Sequence, residues 1–329
     1  MKAGLLSRSG DRAVVAESAA ALLSGLIDYA GLFPPASLGM AAAVANYDAY
    51  LSGEYSWMLG RFIVPVARLE EFEKALADLP ATALESGLAS SGSSSCFWGL
   101  SVLAGADVAA DVSRIREFNE RFAVGHFARE VRIESIEVKV ASVTEIERLS
   151  ALIPADIETY FEISLTAAVE DCIAAAAGCG RRAKIRTGGE TADKFPAAAS
   201  VVEFMRLCAA RGAAFKATAG LHHPLRSRRR LTYQADSPTG MMHGFLNVFL
   251  AAAFLRAGMD ARLAADLVNE QSASAFRVDS TSVVWRENRL SLDDILAARR
   301  NFAISFGSCS FTEPVEDLRG LCLLPQSNR

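Results

Sequence analysis

The sequence predicts an α/β protein, a (β/α)8 TIM-type barrel with a helical C-terminal extension. Three observations carry that prediction. Short β-rich runs alternate with alanine- and leucine-rich segments of helical period, seven times in about 220 residues. No GxGxxG follows the first of these runs, where an open dinucleotide-binding sheet would show one. The 329 residues are 51% hydrophobic, with a mean hydropathy of +0.21, enough to bury one large core.

Taken in order, "GLIDYAGLFPP" (25–35) reads as a strand passing into a loop, and "MAAAVANYDAYLSG" (40–53) as a helix. "GRFIVPVARL" (60–69) and "CFWGLSVLAG" (96–105) are strands, each followed by an amphipathic helix, "EEFEKALADL" and "DVAADVSRIREFNERF". "RIESIEVKVA" (132–141), "IETYFEISL" (157–165), "RRAKIRTGG" (181–189) and "AAFKATAG" (213–220) continue the strands, with a helical segment after each of the first three. Strands separated by such helices require crossover connections and hence a parallel sheet. After residue 241 the chain reads as two helices, a hairpin "FRVDSTSVVWRENRL" and a third helix, and "NFAISFGSCSF" is the candidate eighth strand. The whole chain, 1–329, is taken as a single barrel domain, with 241–305 a mostly helical insertion or extension. The serine- and glycine-rich "PATALESGLASSGSSS" (80–95) is read as a surface loop within it.

A formal net charge of −4 does not mark the chain as a binder of nucleic acid or of a membrane surface. No apolar run reaches the ~18–20 residues of a membrane span. Charges interrupt the N-terminal "MKAGLLSRSGDRAVVAE" where a signal peptide needs an apolar core, so a cytoplasmic protein is expected. The six cysteines form no CxxC pair and are expected to be reduced, most of them core filler. Cys309 in "FGSCSF" carries only a slight expectation of chemistry.

Alternate residues of a strand face the same side. That rule puts Glu137 with Lys139, Tyr160 with Glu162, Lys184 with Arg186, and Lys216 with Thr218 on the predicted inner face of the barrel. Barrel interiors are normally filled by branched apolar side chains, and unpaired buried charges are costly. Four consecutive strands with charged inner faces therefore point to an active site near the C-terminal mouth, rather than to a structural ion-pair network. The excess of bases suggests an anionic substrate, a carboxylate or phosphate.

"KIRTGG" and "KATAGL", on the sixth and seventh strands, resemble motifs of deoxyribose-phosphate aldolase and the wider class I aldolases. The resemblance implies a Schiff-base nucleophile at Lys184, a perturbing cation at Lys216 and an acid, Glu137 or Glu162, that shuttles protons. "FKATAGLHHPLR" and "FGSCSFTEPVEDL" also resemble a group of bacterial proteins without an assigned function.

His222 and His223 follow the seventh strand on a loop of the C-terminal face, suited to proton transfer or metal binding. Three of the four histidines, His222, His223 and His243, cluster within 22 residues, which favours function over simple packing. Arg226, with Arg228, Arg229 and Arg230, could hold a substrate anion or a neighbouring subunit, though such runs more often form solvated loops. "TGMMHGFLN" could open a helix whose N-terminus binds an anion. Asp28 and Tyr29 are placed at the barrel mouth. The candidate catalytic set is thus Lys184, Lys216, Glu137, Glu162 and His222; the candidate binding set is Lys139, Arg186, His223, Arg226, Asp28 and Tyr29.

Three readings follow. The first is a Schiff-base lyase of aldolase type acting on a small anionic metabolite. The second is a hydrolase or isomerase using Glu, His and a divalent metal, with Asp28, Glu137 or Glu162 as ligands. The third is a barrel that binds an anion without chemistry. No cofactor is predicted beyond that metal alternative, and neither nucleic acid nor membrane is expected as a partner. Self-association is left open.

Overall fold

The computed structural model describes residues 15–80, 97–123, 129–166 and 168–325. Eight parallel strands close into a barrel: β1 (Ile27–Tyr29), β2 (Leu59–Pro65), β3 (Phe97–Leu103), β4 (Glu130–Val140), β5 (Glu158–Ile163), β6 (Arg182–Arg186), β7 (Phe215–Thr218) and, as the eighth, β13 (Ala303–Ser308). β13 lies between β7 and β1, so "NFAISFGSCSF" does close the barrel. The serine- and glycine-rich stretch after Pro80 lies outside the described residues, as does most of the N-terminal segment.

The crossover helices are α2 (Met40–Leu51), α3 (Leu69–Ala77), α4 (Val108–Ala123), α5 (Val143–Leu152), α6 (Val169–Gly178) and α7 (Ala198–Arg211), after α1 (Glu17–Leu23). Local chemistry sets their ends. Ser142 caps α5 by accepting from the Glu145 N–H, and Glu145 in turn accepts from the Ala141 N–H. α7 stops at Gly212, whose φ of 66° is the left-handed conformation that glycine adopts without a Cβ penalty.

Between β7 and β13 the chain makes more structure than its sequence pattern announced. The arginine run is not a loop: Ser227–Arg230 forms β8, which pairs antiparallel with β9 (Thr239–Met242). Then come α8 (Phe245–Arg256) and α9 (Ala261–Asn269). The expected two-stranded hairpin is a three-stranded sheet, β10 (Phe276–Val278), β11 (Ser282–Trp285) and β12 (Asn288–Ser291), followed by α10 (Leu292–Asn301). A last helix, α11 (Thr312–Gly320), follows β13. All ten residues from Phe245 to Phe254 in α8 are buried, nine of them apolar and the tenth, Asn247, donating to the Leu267 and Glu270 carbonyls, so this helix is enclosed by its neighbours.

The alternation expected along the strands is present. Phe161, Ile185, Phe215 and Phe306 point outward into the helical layer, where Phe215 meets Phe204, Phe249 and Phe302. The inner face is the unusual one. Apolar layers are replaced by Asp28, Glu137, Tyr160, Lys184 and Lys216, all buried. Small residues on neighbouring strands leave them room. A Cβ at Gly60 would lie 2.3 Å from Asp28 Oδ1, and one at Gly307 would lie 3.1 Å from Ile63 and 3.3 Å from Thr218 Oγ1. A one-residue register shift between β3 and β4 brings Ser101 opposite Ser135, and both then join the polar interior. Among the described residues, no helix is long and apolar enough to cross a membrane.

Candidate active site at the barrel mouth

Lys184 and Lys216 are register partners on β6 and β7, and Lys184 is the register partner of Glu162 on β5. Glu137 lies between the two lysines. Its Oε1 accepts from Lys216 Nζ at 2.6 Å and its Oε2 from Lys184 Nζ at 2.6 Å. Lys216 Nζ also donates to Asp28 Oδ2 at 2.6 Å, and Lys184 Nζ lies 2.7 Å from Glu162 Oε2. Hydroxyls complete the network: Ser101 donates to Glu137 at 2.7 Å and Ser305 to Asp28 at 2.7 Å, while the Arg61 backbone N–H reaches the other Asp28 oxygen at 2.8 Å.

The electrostatics follow from these pairings. Burial opposes ionisation of Glu137, but Lys184 and Lys216 outweigh it and hold the carboxyl well below its usual range. Glu162 is lowered in the same way, burial being offset by Lys184 and then Arg186. Lys216 is fully buried, and burial alone would depress it; Asp28 and Glu137 reverse that and raise it above a free lysine. The aldolase resemblance implies that one lysine of the pair is depressed by the other. Lys216, the perturbing member, is raised instead, because Asp28 and Glu137 both lie on its ammonium. The base excess also disappears from the interior. Asp28, Glu137 and Glu162 face Lys184 and Lys216 there, and Arg186 stands half-exposed at the rim, 3.5 Å from Glu162.

Above the network, at the C-terminal ends of the strands, is a cavity of about 310 Å³. Lys184 and Glu137 form part of its floor; Arg186, Lys194, His222 and Cys309 stand around it. The loops after β6 and β7 make one wall and are tied tightly to each other. Thr187 donates to the Ala219 carbonyl at 2.7 Å, and a Cβ at Gly188 would come within 2.8 Å of Gly220 Cα. The Phe33–Pro35 turn, with a cis Pro34–Pro35 bond, lines the cavity after β1.

Of the predicted site residues, Lys184, Glu137, Arg186 and His222 line this cavity, with Glu162 and Lys216 joined to them through ion pairs. The others lie elsewhere. Asp28 is not at the mouth: it points inward and down, beside a second charged cavity of about 420 Å³ at the N-terminal end, where Arg61, Glu134, Glu158 and Arg182 form ion pairs. Tyr29 follows it on a three-residue strand and so faces outward, where its ring meets Tyr47, Tyr50 and Phe62 and its hydroxyl accepts from Asn46. Lys139, at the end of β4, is exposed and outside the network. His223 turns away to Asp317, 2.6 Å from its Nδ1.

Arg226 and His243 are paired structurally rather than with a ligand. His243 Nε2 lies 2.8 Å from the Pro196 carbonyl, so it carries the proton, and Nδ1 then accepts from Arg226 at 3.1 Å. The N-terminus of α8 offers no anion site of the kind expected, since the Phe245 and Leu246 N–H groups donate to the carbonyls of His223 and Pro224. Nor do the carboxylates named as metal ligands gather as such. Among the described residues, no group of three or more His, Cys, Asp and Glu is arranged to hold a metal ion.

Sequence reading missed the surroundings of His222. Its Nδ1 is 3.7 Å from Cys309 Sγ and 3.7 Å from Glu313 Oε2, and Tyr233, in the turn between β8 and β9, donates to Glu313 at 2.9 Å. Two stretches separated by 76 residues, one carrying His222 and Tyr233 and the other Cys309 and Glu313, meet there, and no spacing motif announces such a cluster. The fold and its polar interior define the class, a parallel (β/α)8 barrel with a charged pocket at its C-terminal mouth. Comparisons with protein-family models, with curated proteins and with solved structures find no match to this chain.

Proposed function

We propose that the barrel is a Schiff-base lyase of aldolase type, acting on a small anionic carbonyl metabolite through Lys184. The observation that carries this reading is the placement of Lys184: buried, on the floor of the mouth cavity, with two carboxylates on its Nζ. An ammonium group is not a nucleophile. Glu137 and Glu162 lie within hydrogen-bond distance, and its proton can leave through them once an entering carbonyl substrate loosens these ion pairs. Lys216 does not act as the nucleophile. It anchors Glu137 from the side away from the cavity, and its charge is already matched by two carboxylates. Arg186 and Lys194 supply positive charge at the rim for a carboxylate or phosphate.

The test is borohydride reduction in the presence of small aldehydes and 2-oxo acids, followed by peptide mass mapping. A reduced adduct on Lys184, absent from Lys184→Arg, is the expected result. The reading fails if no carbonyl labels Lys184 above the level of the exposed Lys194. The completeness of the ion pairing favours one other reading, an anion-binding barrel without a covalent step. It requires phosphate or a dicarboxylate to raise the thermal midpoint with no adduct under any condition.

A further inference from the structure

We infer that His222 is the proton-transfer residue of this cavity, working through Nε2, and that Glu313, Cys309 and Tyr233 are positioning residues that fix its ring. The inference rests on the Schiff-base reading and adds to it the group that moves protons during imine formation. His222 lines the cavity and is 7% exposed. Its Nδ1 faces Cys309 Sγ and Glu313 Oε2, each at 3.7 Å, whereas Nε2 makes no hydrogen bond among the described residues. Which ring nitrogen carries the proton is set by the partner of the other. The Glu313 carboxylate, which can only accept, favours the Nδ1–H tautomer and leaves the Nε2 lone pair for the cavity.

The supporting residues fit that role. Burial, then Cys309 and after it Glu313, keep the Tyr233 phenol protonated, so Tyr233 donates to Glu313 and holds it in place. The Cys309 thiol is pushed up to about 11, chiefly by burial, and is therefore a neutral neighbour rather than a nucleophile. Burial, then His223, push the His222 imidazole down to about 4, so it starts neutral and able to accept a proton. The Glu313 carboxylate then steadies the imidazolium that forms. Glu137 and Glu162 suit the accepting step less well, because their lysines favour the ionised carboxylate and make each a weak base.

The chemistry balances without a further reactant. The neutral Lys184 amine adds to the carbonyl carbon; His222 Nε2 accepts one proton from the nitrogen and delivers it to the oxygen, which becomes a hydroxyl. The second proton of that nitrogen passes by the same route to the hydroxyl, which leaves as water as the C–N double bond forms. Tyr233 sits in the turn between β8 and β9, so the same contact that fixes Glu313 ties this ribbon to α11.

The test uses the full chain with 15N-labelled histidine, the His222 signals being assigned by their loss in His222→Asn. The expected spectrum shows Nδ1 protonated and Nε2 unprotonated, moving toward the Nε2–H form in Glu313→Gln. Borohydride trapping on Lys184 should slow by roughly 100-fold in His222→Asn, and by less in Glu313→Gln and Tyr233→Phe. An Nε2–H tautomer in the wild-type protein, or trapping as fast in His222→Asn as in wild type, overturns the inference and leaves the Schiff-base reading intact. Failure to trap any carbonyl on Lys184 in the wild-type protein overturns the reading itself, and the proton-transfer role with it.

Discussion

Lys216→Met removes the cation at the centre of the barrel and leaves its two partners in place. Lys216 is wholly buried, and the side chains of Asp28 and Glu137 are only 3% and 2% exposed. Glu137 keeps Lys184 as a partner; among the described residues Asp28 keeps the hydrogen bonds from Ser305 and the Arg61 backbone N–H, and the more distant charges of Arg61 and Arg299. Breaking a buried pair in this way costs about 3–5 kcal/mol, because one carboxylate stays buried without its ion-pair partner. The urea midpoint at pH 7 should fall accordingly. Adding Asp28→Asn removes the orphaned charge and should recover at least about 1 kcal/mol, a coupling expected only of groups in contact.

The pH dependence separates the two proteins further. In wild type, Glu137 and Glu162 are lowered, so the folded state binds fewer protons than the unfolded one near pH 4. Their stabilisation is present above the unfolded value and is lost as pH falls below it. In Lys216→Met Glu137 loses one of the two cations that hold it down, so less of this stabilisation is present at pH 7, and the deficit relative to wild type should shrink as pH falls toward 4. Equal slopes in the two proteins, or a loss below about 1 kcal/mol at pH 7, would show that water already screens these charges, and the case for a buried network would fall.

Two further outcomes are expected. At pH 8, iodoacetamide should modify the exposed Cys179 well before Cys309, whose thiol is buried and pushed up to about 11; equal labelling would mean that the Tyr233 turn leaves Cys309 open. Gly188→Ala should cost about 1–3 kcal/mol in chemical denaturation, since its Cβ would lie 2.6 Å from the Phe195 ring and 2.8 Å from Gly220 Cα; an unchanged midpoint would show that these loops yield easily.

The barrel was legible because each strand and helix announces itself locally, through a period of two or of 3.6 residues. The charged inner face was legible for the same reason: parity alone puts Glu137, Glu162, Lys184 and Lys216 on one side. Depth was not legible. Asp28 and Lys216 are 188 residues apart in sequence, and their contact depends on barrel closure and on the space left by Gly60 and Ser305. Tyr29 was misplaced because β1 is only three residues long, and the loop after it hides where the alternation ends. The arginine run concealed a strand, since β8 is an exposed ribbon and has no apolar face to mark it. The pairing of His223 with Asp317 and of Arg226 with His243 brings together partners from separate elements, which no local pattern encodes.

The interior thread from Glu162 through Lys184, Glu137 and Lys216 to Asp28 also constrains how this sequence can change over generations. An apolar barrel filling drifts one methyl group at a time, each step nearly tolerated. A thread of alternating charge does not, because altering any inner link strands its neighbour. Descendant sequences should therefore either keep positions 28, 137, 184 and 216 together or exchange them as sets, while the outward-facing positions between them drift singly among apolar residues of similar volume.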